Sequence, residues 1–215
     1  MKVSEIYEKY KIMPQLQTHM LRVAGVASTI VENFEGKIDR KTIITTALLH
    51  DLGNMAKIKL DAFPEFAQPR GIDYWQKVLK EFKLKYGNDD YTATYTLLTE
   101  IGIPQNIYDL IQSLEFAKSQ RTAEGNNLEL KVCLYSDARV SPHGVVSLAE
   151  RLDEVKERFM RNKGISGEKF NQISESLYEI EKQIFAHCKI KPEDITEEKV
   201  RPLIEDLRNF EIETS

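Results

Sequence analysis

Apolar residues recur every three to four positions along nearly the whole chain, and no stretch alternates as a half-buried strand must. That period predicts an all-α protein, a helical bundle around one core. In QLQTHMLRVAGVASTIVENF, behind Pro14, one face carries Leu16, Met20, Val23, Val26 and Ile30 before Gly36 ends the helix. Asp39 is placed to cap RKTIITTALLHD, with Gly53 as its left-handed C-terminal residue. Asp73 is expected to cap YWQKVLKEFKLKYG, Asp89 or Asp90 to cap YTATYTLLTEIG, and Pro104 to open QNIYDLIQSLEFAK. EGNN at 124–127 and SPHG at 141–144 interrupt the chain on either side of LELKVCLYSDARV, and Ser147 with Glu150 forms a capping box for the next helix. Met55–Gly71, with Phe63, Pro64, Phe66 and Pro69, is expected to be an irregular excursion that can cover a site.

A chain of 215 residues can bury a substantial core, and one domain is the expectation. No window approaches the 18 or more uninterrupted apolar residues of a membrane span. MKVSEIYEKYKIMPQ lacks the apolar centre of a secretory signal, so a soluble, cytoplasmic protein is expected. The net charge of −4, with lysines scattered among glutamates, gives no basic stripe for nucleic acid. Cys133 and Cys188 lack the spacing of a thiolate metal site and read as small buried apolar residues. The amphipathic helix SLYEIEKQIFAHCKI presents Leu177, Ile180, Ile184, Phe185 and Ile190, a face that suits packing on its own domain and would equally serve a homodimer.

The chemistry-bearing residues are few. ALLHDLGN sets His50 and Asp51 side by side where a helix is due to end, and a helix end lets one imidazole and one carboxylate flank an ion if other segments supply the opposite side. His19, in THMLRVA, and Asp137, in CLYSDARV, are the candidates for that side. Taken singly, a histidine on an apolar face is more often a core residue with locally satisfied nitrogens, and an aspartate after an apolar run more often a cap.

Together, in the order His, His-Asp, Asp, these residues resemble the HD-domain superfamily of metal-dependent phosphohydrolases, over roughly residues 15–160. HDLGN at 50–54 stands where that family usually has HDxGK or a close variant, and SDARVSPHGVVSLAERL at 136–152 is similar to its last motif. The resemblance implies an HD domain over residues 15–162, a short helical extension at 1–14, and further helices at 163–215 packing on it. It implies His19, His50, Asp51 and Asp137 as ligands of one divalent metal, which a mixed nitrogen and carboxylate set leaves open among Mn, Fe, Co, Ni, Zn and Mg. Tyr91 stands where members with two metals place a further histidine, and LEFAK at 114–118 contains none. Asn54 occupies the position of a glutamate that serves proton transfer in several members, which leaves Asp51, Glu100 and Glu115 as candidate bases.

The implied reaction is hydrolysis of a phosphoester of a small molecule, with a nucleotide favoured. Arg139, Lys57 and Arg22 are candidates to hold its phosphate, with Arg151 behind them, and each also reads as a solvated helix-end charge. His143 could protonate the leaving oxygen or simply occupy an exposed turn. Tyr74, Trp75 and Tyr95 could stack on a base, although aromatics at helical spacing are more often core, and His187 reads as structural. A non-catalytic nucleotide-binding or regulatory module on the same scaffold is the alternative.

Overall fold

The computed structural model describes residues 1–60, 67–162 and 166–214, the side chains of 157–162 excepted. The chain is all-α, and its helices follow the apolar period. They are α1 (Val3–Lys9), α2 (Pro14–Glu32), α3 (Arg40–Leu49), α4 (Ile72–Tyr86), α5 (Asp90–Ile101), α6 (Gln105–Ser113), α7 (Ser119–Glu124), α8 (Leu128–Asp137), α9 (Leu148–Asn162), α10 (Gly167–Phe185), α11 (Glu197–Val200) and α12 (Ile204–Arg208). A 3-10 turn, Leu52–Ala56, follows α3.

At the centre lies α2, buried on almost every side through Met20, Leu21, Val23, Ala24, Val26 and Ala27. Helices α3 and α8 pack on it and on each other, and the C-terminal segments α11 and α12 cover another side. The contact with α11 is close enough to demand a glycine: a Cβ on Gly25 would sit 2.5 Å from Cγ1 of Val200. One apolar cluster runs from Val3 and Ile6 of α1 to Ile212, so both chain ends join the same core. Leu177, Ile180 and Ile184 of α10 are fully buried in that cluster, and Phe185 and Ile190 pack against it partly buried. Among the described residues, no helix is long and apolar enough to cross a membrane.

Helix starts follow local chemistry. The carboxylates of Asp39 and Asp89 accept the backbone N–H of Thr42 and Thr92, and the side chains of Asn127 and Ser166 accept those of Leu130 and Lys169. Ser147 and Glu150 exchange the two bonds of a capping box.

Four expectations are corrected. Asp73 lies in the first turn of α4, behind Gly71 at the cap position. Gly53 is not a left-handed helix end: it sits inside the 3-10 turn, and a Cβ there would lie 2.0 Å from the carbonyl oxygen of Asp90. Close approach of two backbones requires this glycine. SPHG forms a hairpin, with β1 (Val140–Ser141) antiparallel to β2 (Gly144–Val145), too short to show an alternating pattern. Cys133 is buried, but Cys188 is only partly so. Of the excursion after Met55, Phe63, Pro64 and Phe66 lie outside the described residues.

Candidate metal centre

Three packed helices converge at one end. α2 contributes His19 from its second turn, α3 stops so that His50 and Asp51 follow it directly, and α8 ends on Asp137. The stop after Leu49 has a local cause. His50 keeps helical dihedrals and its N–H still bonds Thr46, but Asp51 turns out of the helix at φ −111° and the chain tightens into the 3-10 turn. Thr94 of α5 holds that turn, its hydroxyl accepting the N–H of Gly53 at 3.0 Å. The bend brings Oδ1 of Asp51 to 3.6 Å from Nε2 of its neighbour His50, an approach that the roughly 100° separation of adjacent side chains on a continuing helix would oppose.

The four polar groups meet across the gap. One ligand atom each from His19, His50 and Asp51 lies within 4.8 Å of the others. Asp137 adds an oxygen 3.1 Å from Nε2 of His19 and 3.7 Å from Nε2 of His50, and Oδ2 of Asp51 is 3.5 Å from Nε2 of His19.

His50 is the most constrained member. It is buried, and its Nδ1 lies 2.9 Å from the carbonyl oxygen of Ala47, which fixes that nitrogen as the donor in the neutral ring. Its Nε2 is buried and makes no hydrogen bond, the nearby carboxylates being too distant. A buried ring nitrogen without a hydrogen-bond partner, facing two carboxylates and a second imidazole, is a ligand that a divalent ion would claim in exchange for its proton. The donor set therefore fits a metal. Burial disfavours a charged His50, yet the carboxylates of Asp51 and Asp137 outweigh it and hold the ring's pKa at about 9. Burial likewise works against an ionised Asp137, and the two imidazoles overcome it, keeping the carboxyl well below the usual carboxylate range.

The cluster forms part of the wall of an open cavity of about 1100 Å³. Leu16, Ile111 and Leu114 give it an apolar side, Tyr91 and Tyr95 an aromatic one, and Lys57 and Arg151 positive charge. Burial holds both tyrosine hydroxyls above their usual pKa, so they are neutral donors. Lys57 pairs with Asp90 and lies 5.4 Å from the Tyr91 ring centre.

A comparison with protein-family models matches residues 16–153 to the HD domain. The chain belongs to the HD-domain family. No curated protein and no solved structure matches it. Within this HD domain the four residues implied as ligands are brought together, with Lys57 facing the same space.

Other expected site residues are placed elsewhere. Arg139 is buried and does not line the cavity. Its guanidinium donates to the carbonyls of Val146, Pro192 and Ile195 and to the Tyr135 hydroxyl, at 2.5 to 3.2 Å. Arg22 turns from the cavity to Glu197, donating to one oxygen at 2.8 and 3.0 Å. His143 sits exposed in the hairpin turn, and Glu100 pairs with Lys85 and Tyr86 beyond the cavity. Trp75 is core and Tyr74 packs edge-on against it, whereas Tyr95 and Glu115 do line the cavity.

Asp90 is a site residue that the sequence reading missed. The signal was the tandem Asp89-Asp90: one carboxylate caps α5, and the spare one is buried against Lys57.

Proposed function

We propose that this HD-domain protein hydrolyses a phosphoester of a small molecule, with a nucleotide as the favoured class, in a reaction that requires one divalent metal. The observation that carries the reading is the unpartnered, buried Nε2 of His50 facing His19, Asp51 and Asp137 on the wall of a cavity that also holds Lys57.

His19, His50, Asp51 and Asp137 would hold the ion. Bound there, a divalent metal supplies Lewis acidity, lowering the pKa of water and polarising a phosphoryl oxygen. The chain's own groups do the rest. Lys57, held by Asp90 at the cavity wall, places a cation for a phosphate oxygen, and Arg151 offers a second. Tyr91 and Tyr95 with Leu16 and Leu114 form a surface for a base or another flat leaving group. Hydrolysis adds the oxygen of water to phosphorus and breaks the ester P–O bond. Asp51 is assigned the proton that water loses, because a carboxylate that gives one oxygen to an ion keeps the second. The leaving oxygen takes its proton from solvent at the open mouth.

The test is phosphate release from a panel of mononucleotides and other phosphoesters, supplied in turn with Mn, Fe, Co, Ni, Zn and Mg. The parent is expected to turn over repeatedly with at least one ion, and His50→Ala and Asp137→Ala to lose both metal and turnover while remaining folded. Full phosphate release by either variant, shown metal-free, contradicts the reading. Saturable nucleotide binding without turnover under every ion would instead support the regulatory module, which Asn54 in place of an acid favours.

A further inference from the structure

Residues 192–200 lie beyond the part of the chain that matches the HD domain, yet they are bonded to α2, which carries His19, and to Arg139 and the hairpin that follow Asp137. His19 belongs to α2. Asp137 is the last residue of α8, so the chain that follows it, rather than further helix, decides how its carboxylate is held. That following chain is Arg139 and the β1–β2 hairpin.

Both sides are tied to the same C-terminal strap. Oε1 of Glu197 accepts Nε–H and Nη2–H of Arg22, one helical turn from His19, at 3.0 and 2.8 Å. Oε2 of the same carboxylate accepts the N–H of Val145 at 2.8 Å, on the hairpin strand that pairs Val145 with Val140. Gly144 admits this approach, since a Cβ there would lie 3.2 Å from Oε2. Arg139, two residues past Asp137, donates to the carbonyls of Pro192 and Ile195 of the strap at 3.2 and 3.0 Å. One carboxylate therefore joins the helix of His19 to the hairpin that continues from Asp137, across the 3.1 Å contact between the two.

We infer that Glu197 is a positioning residue for the metal centre, setting the separation of His19 and Asp137 through Arg22 and Val145. The inference rests on the metal-centre reading. Groups hydrogen-bonded directly to metal ligands typically change metal affinity about 10- to 100-fold when removed, and Glu197, which acts one residue further out through Arg22 and Val145, is expected at the lower end of that range. A strap that only adds stability would not do so.

Cobalt(II) titration followed by visible absorption separates the two roles, because the d–d bands report ligand geometry as well as occupancy. Three forms of the full chain are compared: the parent, Glu197→Ala and Val200→Ala, the last removing strap packing on Gly25 while keeping the Glu197 carboxylate. Thermal unfolding is measured alongside. Glu197→Ala is expected to bind cobalt about tenfold more weakly, with shifted bands at saturation, and Glu197→Gln, which keeps an acceptor oxygen, to recover part of the loss. Val200→Ala is expected to lower the melting temperature with parental affinity and bands. Parental binding by Glu197→Ala, or equal weakening in Val200→Ala, overturns the inference. A folded parent that takes up neither cobalt nor any of Mn, Fe, Ni, Zn and Mg overturns the metal-centre reading and this inference with it.

Discussion

Nε2 of His19 lies 3.1 Å from Oδ1 of Asp137, joining the second turn of α2 to the last residue of α8. His50 and Asp51 complete the group only because α3 ends between Leu49 and Asp51. The centre is thus made by where three helices stop or cross, and perturbing those places should perturb it.

Proton competition follows from the charges. His50 in the metal-free chain has its pKa raised from 6.5 to about 9, so metal uptake is expected to tighten as pH rises through that range, with proton release on binding. The same shift stabilises the metal-free fold fully below pH 6.5, and that contribution is lost as pH climbs through about 9. Asp137, with its pKa lowered, contributes in the opposite sense: its share is present above about 3.8 and lost as pH falls below it. Chelator-treated protein is expected to lose melting temperature between pH 6.5 and 9, and His50→Gln to remove most of that slope. A slope unchanged in the variant would contradict the assignment.

Gly53→Ala should be severe. Its Cβ would fall 2.0 Å from a backbone oxygen and 2.4 Å from the Thr94 hydroxyl, so the 3-10 turn must move away from α5. A loss of about 1–3 kcal/mol or more is expected, together with weakened metal binding because the turn carries Asp51. Thermal unfolding and a cobalt titration check both.

Much of this was legible in the sequence. The 3.6-residue period gave the all-α class, and the resemblance of His19, His50-Asp51 and Asp137 to the HD-domain pattern implied the group that the fold brings together. The arginines were misread because nearness in sequence to a ligand says nothing of which side of the chain a guanidinium leaves. Arg22 is one turn from His19 yet faces Glu197, and Arg139 is two residues from Asp137 yet turns inward to main-chain carbonyls. Glu197 and two of the carbonyls that Arg139 bonds, Pro192 and Ile195, lie in the C-terminal segment, and long-range pairing of that kind leaves no periodic trace.

That distinction can be measured. Arg139→Ala strands the buried carbonyl of Ile195 and the part-buried carbonyls of Val146 and Pro192, and is expected to cost about 3 kcal/mol. Denaturant unfolding would show it as a lower midpoint. A variant as stable as the parent would contradict the structural role.

Lys57→Ala should weaken substrate binding as well as the fold. Its ammonium is half exposed, but its loss leaves the buried Asp90 carboxylate unpaired, so stability should fall by about 1–3 kcal/mol. The KM for a phosphoester should rise several-fold at unchanged metal content. Steady-state kinetics at saturating metal, beside metal analysis, separates this from loss of the ion.

The most direct measurement of the central claim is the metal content of the untagged protein, purified without chelator, beside His50→Ala prepared identically. About one equivalent of a divalent metal in the parent and little in the folded variant is the expected result. Equal metal content in the two, or a folded parent that takes up none of Mn, Fe, Co, Ni, Zn or Mg on reconstitution, would contradict it.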